Sequence, residues 1–232
     1  IDIGERSETL SDILEDIKGN YESDSSNVNP YQVLFSIHSN CVTGVVGFKK
    51  LVLALESLSP EKRNILLSED SELNLESTIV NQAWWHDLKN DCFDANEALE
   101  AYQYAADKFS EWNALSYVKA CYITMSLIVD EYLSEREKAL KILDDIEKIF
   151  VDEPSIINQR AKVFLNNGLR QEGLMLAEKA LSLNGLNDID YVFCCRNAAI
   201  AAAKLNNWAK SSSLFLKGEE KAKLSDIQRN MG

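Results

Sequence analysis

Trp84-Trp85-His86-Asp87 is the densest run of side chains in this chain that could do chemistry or grip a partner. His86 beside Asp87 has the residue types of an acid–base pair, but consecutive residues on a helix do not face each other. His38 and His86 are the only histidines, and no serine or cysteine nucleophile stands in a strained turn, so no catalytic triad is legible. The two tryptophans read as a wedge between helical hairpins, with an interface role as the alternative. Gly44-Val45-Val46-Gly47 lacks the G-x-x-x-x-G-K-S/T run of a phosphate loop and reads as a helix break or a close helix contact. Asp144-Asp145 and Glu219-Glu220 lack calcium-loop spacing and read as solvated faces. The expectation is a protein that is not an enzyme and holds no metal or cofactor.

The five cysteines, Cys41, Cys92, Cys121, Cys194 and Cys195, are odd in number and include no C-x-x-C pair. They fit neither a disulfide framework nor a zinc site, and they point to a reducing compartment. Most are expected to serve as small buried hydrophobes. The apolar stretch from Val33 to Leu58 is broken by His38, Asn40, Lys49 and Lys50, so no bilayer span of about 20 apolar residues is expected. The chain opens without a Met or a signal peptide, which reads as a piece of a larger soluble, intracellular, cytoplasmic protein.

The net charge of −13 is unevenly spread. Residues 1–153 carry 13 Lys and Arg against 30 Asp and Glu, a balance of −17; residues 154–232 carry 11 against 7, a balance of +4. The overall acidity argues against nucleic acid and against an anionic membrane as partners. A basic C-terminal end would suit an acidic polypeptide segment.

The elements that must position all this are helical. Three prolines and nine glycines in 232 residues suit long helices better than a loop-rich or β fold. Leu10, Ile13, Leu14 and Ile17 predict an acidic helix over 9–18. The polar run 21–30 predicts a flexible loop. One or two helices follow over 31–57, and Ser59-Pro60 predicts the start of another. Hairpins are expected from Leu73, with helices over 73–89, 95–109, 113–132, a partner opened by Ser134-Glu135-Arg136-Glu137, then 154–166, 170–183, 188–205 and 208–223. Asp94 and Glu97 have capping-box spacing, as do Ser134 and Glu137.

The strongest pattern is repetition. Ala139, Leu143 and Ile146 recur as Gly173, Ala177 and Ala180, then as Ser211, Phe215 and Gly218, in steps of 34 and 38 residues; Leu127, Ala161 and Ala199 keep the same steps. Small and apolar residues recurring at a mid-thirties period predict stacked helical hairpins. Small residues belong where two helices cross about 8–10 Å apart.

The stretch from Pro154 to Asn187 resembles a tetratricopeptide repeat. Ala161, Gly168, Gly173 and Ala180 fall at that superfamily's small and turn positions, and Ala177 to Asn184 is similar to the end of its second helix. The resemblance runs over about 120–225, weakens over 73–112 and is absent before. Leu127 replaces a small first-helix residue, and Gly185 stands where a proline is usual. The resemblance implies an all-α, right-handed α-solenoid of stacked hairpins, with an irregular helical cap over 1–70 and the repeat array over 71–232. It also implies that first-helix residues line a groove that binds a protein or peptide segment. By position these are Asn158, Lys162 and Asn166 in one unit and Arg196, Asn197 and Lys204 in the next. Lys and Arg there would form charge-assisted hydrogen bonds with carboxylates of an acidic segment. The competing expectation is a self-associating or autoregulatory scaffold beside a catalytic domain; an RNA-reading array is disfavoured by the acidity.

Overall fold

The computed structural model describes residues 44–67 and 80–224. The helix expected over 9–18, the loop 21–30, the first part of the 31–57 stretch up to residue 43, the start of the 73–89 helix and the tail after 224 lie outside the described residues. Ten α-helices are described: α1 Gly44–Ser57, α2 Pro60–Leu67, α3 Asn81–Lys89, α4 Ala95–Glu111, α5 Leu115–Glu131, α6 Arg136–Glu147, α7 Pro154–Asn166, α8 Arg170–Ser182, α9 Asp188–Lys204 and α10 Trp208–Leu224. Among the described residues no strand occurs, and the all-α expectation holds. Two compact units divide within α5, Ile1–Thr124 and Met125–Gly232.

Each connection from α3 onward contains one residue in the left-handed region. These are Asp91, Asn113, Ser134, Asp152, Gly168, Gly185 and Asn206. Most are Asn, Asp or Gly, the types that tolerate positive φ at a helix end. At four of them the following N–H reaches back five residues to a carbonyl of the last helical turn: Cys92 to Asp87, Ala114 to Phe109, Leu169 to Phe164 and Asn207 to Ala202. One local motif therefore stops four helices and turns the chain back on itself.

Helix starts follow the sequence less uniformly. Asp94 accepts from the N–H groups of Asn96 and Glu97, as its spacing predicts. Ser134 does not cap α6. It sits at φ 56°, ending α5, whereas a capping residue needs an extended backbone to turn its hydroxyl toward the new helix. Glu135 precedes α6 with no side-chain cap. The expected break near Gly44 and Gly47 is also resolved: α1 begins at Gly44 and runs through Gly47.

In the first unit α1 buries Val45, Phe48, Leu51, Val52 and Leu55 and packs on α3 and α4. α4 presents Ala98, Ala101, Tyr102, Ala105, Ala106 and Phe109, a helical stripe. The Phe48 and Tyr102 rings lie 4.9 Å apart, and the Tyr102 hydroxyl donates to the Val80 carbonyl.

In the second unit α7 and α8 form one hairpin and α9 and α10 the next, with α8 packed on α9. Ala161, Ala180 and Ala199 are wholly buried, as their recurrence predicts. A Cβ on Gly173 would lie 2.6 Å from Leu165 Cγ and 3.2 Å from the Ala161 carbonyl oxygen, so this crossing depends on glycine. The shared core joins Ala161, Leu165, Leu174 and Ala177 to Ala198, Ala199, Ala201, Ala202 and Leu214. The repeat row departs at one place: Leu143 and Ala177 are fully buried, while Phe215 is 48% exposed. α9 packs on α8, and Ala199 of α9 lies with Ala177 in the core; among the described residues no helix follows α10 to do the same for Phe215.

The longer second step has a simple origin. Ala161 is the eighth residue of the 13-residue α7, and Ala199 is the twelfth of the 17-residue α9. The four extra residues are one more turn at the front of α9, which leaves the later faces in register.

Candidate protein-binding face

The residues expected to meet a ligand come from α7 and α9. Asn158, Lys162 and Asn166 are spaced four apart on α7, so they share a stripe. A step of 38 carries them to Arg196, Ile200 and Lys204 on α9; Asn197 is the counterpart of the buried Gln159. Asn197 therefore turns toward α7, and its Nδ2 donates to Asn158 Oδ1 at 3.0 Å. That half-buried bond ties the two first helices together. An amide pair of this kind contributes about 1 kcal/mol.

The α7 residues are engaged by the end of α5. Lys162 Nζ lies 2.7 Å from Glu131 Oε1, with both side chains about one-third exposed. Asn166 Nδ2 donates to Asp130 Oδ2, and Asn167 Nδ2 donates to Asp130 Oδ1, each at 2.8 Å. The nearly buried Asp130 thus has both carboxylate oxygens met. Asp130 and Glu131 escaped the sequence reading, because neither belongs to the small-residue rows that set the repeat register.

The α9 side is different. Arg196 and Lys204 are exposed, and neither side chain has an ion pair with any described residue. The Lys204 carbonyl accepts from Arg170 Nη1 at 3.0 Å, which finishes the end of α9. Phe193, 44% exposed, and half-buried Ile200 lie on the same face at helical spacing. Both were missed by the sequence reading, yet the 38-residue step alone identifies Ile200 as the partner of Lys162.

The basic excess of residues 154–232 is mostly consumed by pairing. Arg160 meets Asp144 and Glu147, Lys179 meets Asp152, Lys210 meets Glu178, Lys221 meets Asp188 and Lys223 meets Glu219. Free cationic character on this face is thus confined to α9.

The chemistry-bearing residues elsewhere are occupied structurally. Asp87 Oδ2 accepts the Val45 N–H at 2.7 Å, placing a carboxylate at the positive end of α1. Contrary to expectation His86 does approach its neighbour, with Nδ1 3.4 Å from Asp87 Oδ1. The Cys92 thiol reaches Asp87 Oδ1 at 3.7 Å. Partial desolvation by its neighbours, then the Asp87 charge, pushes that thiol above its ordinary range, the opposite of what a nucleophile needs. Burial likewise raises Cys194 to about 12. Trp84 stacks edge-on to Trp85 and Phe93. Trp85 is 45% exposed with Lys89 over its ring, so the pair is not a buried wedge: adjacent helical positions send one ring inward and one out.

Among the described residues no group of three His, Cys, Asp or Glu side chains is placed to hold a metal ion, and no helix is long and apolar enough to cross a membrane.

No protein-family model matches the sequence, and no curated protein matches it. Among solved structures the chain is similar to one in the crystal structure of the APC/C hetero-tetramer Cut9-Hcn1, at 14% identity and a TM-score of 0.48. That likeness covers 92% of this chain, which spans 43% of the other's length. Successive hairpins, α7 with α8 and α9 with α10, pack on one another through the crossing of α8 on α9.

Proposed function

We propose that the exposed face of α7 and α9 binds a polypeptide segment, making this chain a protein-interaction module. The observation that carries the reading is the row Phe193, Arg196, Ile200 and Lys204 on α9. It combines an exposed aromatic and a half-buried aliphatic side chain with two cations that no described carboxylate neutralises. Aromatic and Arg side chains are favoured anchors at protein interfaces. The Asn158–Asn197 bond holds the face in one geometry before a ligand arrives, and such preorganisation lowers the ordering penalty of binding.

Peptides selected from a random phage-displayed library on the whole chain, then synthesised with a fluorescent label, supply the probe. The double variant Arg196→Glu/Lys204→Glu should weaken their binding at least about tenfold, a change of roughly 1.4 kcal/mol. The exposed Lys223→Glu control on α10 should not. Equal affinity for the double variant and wild type would remove the reading.

A second reading, self-association, draws on Trp208, Phe215 and Leu216, which are all exposed on α10. Sedimentation separates the two readings, since a dimer that Phe215→Ser converts to monomer favours self-association.

A further inference from the structure

We propose that Glu131 sets the specificity of this face, by filling the anion position at Lys162 and so restricting recognition of a ligand carboxylate to Arg196 and Lys204. The inference rests on the peptide-binding reading above and adds the chemistry of the segment to it.

The cations of the face are not equivalent. Lys162 already holds a carboxylate, Glu131 Oε1 at 2.7 Å. Beside it Asn166 Nδ2 lies 3.5 Å from the same oxygen and is engaged by Asp130 at 2.8 Å. An acidic ligand residue placed at Lys162 would have to displace Glu131 and then face both Asp130 and Glu131. Two carboxylates at the end of α5 therefore repel a third. A binding site discriminates as much by such unfavourable placement as by attraction.

At the α9 end no described carboxylate is paired with Arg196 or Lys204. Arg196 and Lys204 are eight residues apart on one face, about 12 Å along the helix axis at 1.5 Å per residue. An extended segment advances about 3.3 Å per residue, so two ligand carboxylates about four residues apart match the two cations. Ile200 lies midway between them, and Phe193 lies a turn before Arg196. The segment that fits has an acidic residue, an apolar residue near its centre, and a second acidic residue, with neutral or basic residues where it passes α7. A uniformly acidic segment fits worse, despite the net charge of residues 154–232.

Two fluorescein-labelled peptides test this against the full chain by fluorescence anisotropy. One carries two aspartates four residues apart around a central leucine, with neutral flanks. The other is the same peptide with aspartate also on each side of the leucine, level with Ile200 and so with Lys162 on the neighbouring helix. Wild type should bind the first at least about fivefold more tightly. Glu131→Gln should leave the first within about twofold and tighten the second by about tenfold. Adding Lys162→Met to Glu131→Gln should cancel that gain, because the freed cation is then absent. Circular dichroism melting of each variant confirms that the hairpins are intact, and Glu131→Asp, which keeps the charge, should retain the wild-type preference.

If Glu131→Gln leaves the ratio of the two affinities unchanged while Arg196→Glu/Lys204→Glu abolishes binding of the first peptide, the role of Glu131 is wrong and the peptide-binding face stands. If the double charge reversal leaves the first peptide bound as in wild type, the face itself is wrong and the inference falls with it.

Discussion

A carboxylate oxygen of Asp87 stands where Gly44 would carry a side chain: a Cβ there would lie 1.6 Å from Oδ1, while Oδ2 takes the Val45 N–H. Gly44 is also at φ 79°, a region L side chains rarely adopt. Gly44→Ala should therefore destabilise the protein by about 2–3 kcal/mol, combining left-handed strain with loss of the cap. Asp87→Ala should cost about 1 kcal/mol. The double variant should cost less than the two singles added, because removing Asp87 relieves the clash. Urea unfolding followed by circular dichroism gives all three values. A Gly44→Ala variant more stable than Asp87→Ala would contradict the arrangement.

Gly173 and Gly218 each face the first helix of their own hairpin, with unequal room. A Cβ at Gly173 would press on Leu165 at 2.6 and 2.8 Å, whereas at Gly218 the nearest atom is Cys195 Cβ at 3.1 Å. Alanine gains about 1 kcal/mol of helix propensity over glycine, and overpacking a tight core typically costs about 1–3 kcal/mol. Gly173→Ala should lower stability by about 1 kcal/mol, and Gly218→Ala should be near neutral. Thermal melting ranks them, and the reverse order would show that the α7–α8 crossing is the looser one.

Glu56 on α1 binds two groups of α4, Lys108 Nζ at 2.7 Å and the Tyr104 hydroxyl at 2.8 Å. The hydrogen bond from Lys108, then that from Tyr104, lowers the Glu56 carboxyl below its ordinary 4.5. The bonds to Glu56, then Glu111, raise Lys108 from 10.5 to about 12. A lowered acid contributes stability above its unfolded value and loses it as pH falls through the folded one; a raised base contributes below its unfolded value and loses it as pH rises. The contribution should thus be full between pH 4.5 and 10.5. Both groups are solvent-screened, so the effect is small. Glu56→Gln should melt lower than wild type at pH 7, and the gap should narrow as pH falls below 4.5. A gap that persists in acid would assign the effect to packing.

Of the four described cysteines Cys92 alone is exposed; Cys121, Cys194 and Cys195 are buried. Iodoacetamide at neutral pH should modify Cys92 first, and slowly, because partial desolvation by its neighbours and then the Asp87 charge raise its thiol. Cys194, raised to about 12, should react only on unfolding. Peptide mass spectrometry of a timed reaction reads both, and early labelling of Cys194 would mean that α9 opens readily.

The second unit was legible because its rule is written in residue size. Ala161, Ala180 and Ala199 must be small wherever helices touch, and all three are buried without residue. The face that meets a ligand obeys no such rule. Lys162 looks the same in sequence whether it faces water or Glu131, and the partner 31 positions earlier follows from tertiary packing. Ser134 shows a second limit. A serine followed three residues later by a glutamate satisfies the spacing of a cap, but the spacing says nothing of backbone conformation. The sign of φ at residue 134 decided the matter, and the helix it closes lies upstream of the helix it was expected to open. Phe215 shows a third: periodicity assigns a face to a helix, while burial also needs something to lie against it.

The extra turn of α9 bears on how such a chain can change over generations. Four residues rotate the following helix by about 40° from its former register, at 100° per residue, so Ala199 still meets α8 and the row from Phe193 to Lys204 still faces outward. Two residues would swing that row by about 200°, sending Arg196 and Lys204 toward the alanine core and alanines toward water. Length variation among descendants of this sequence should therefore accumulate in whole helical turns at the front of α9, and the inserted turn is where new side chains can be tried without disturbing the hairpins.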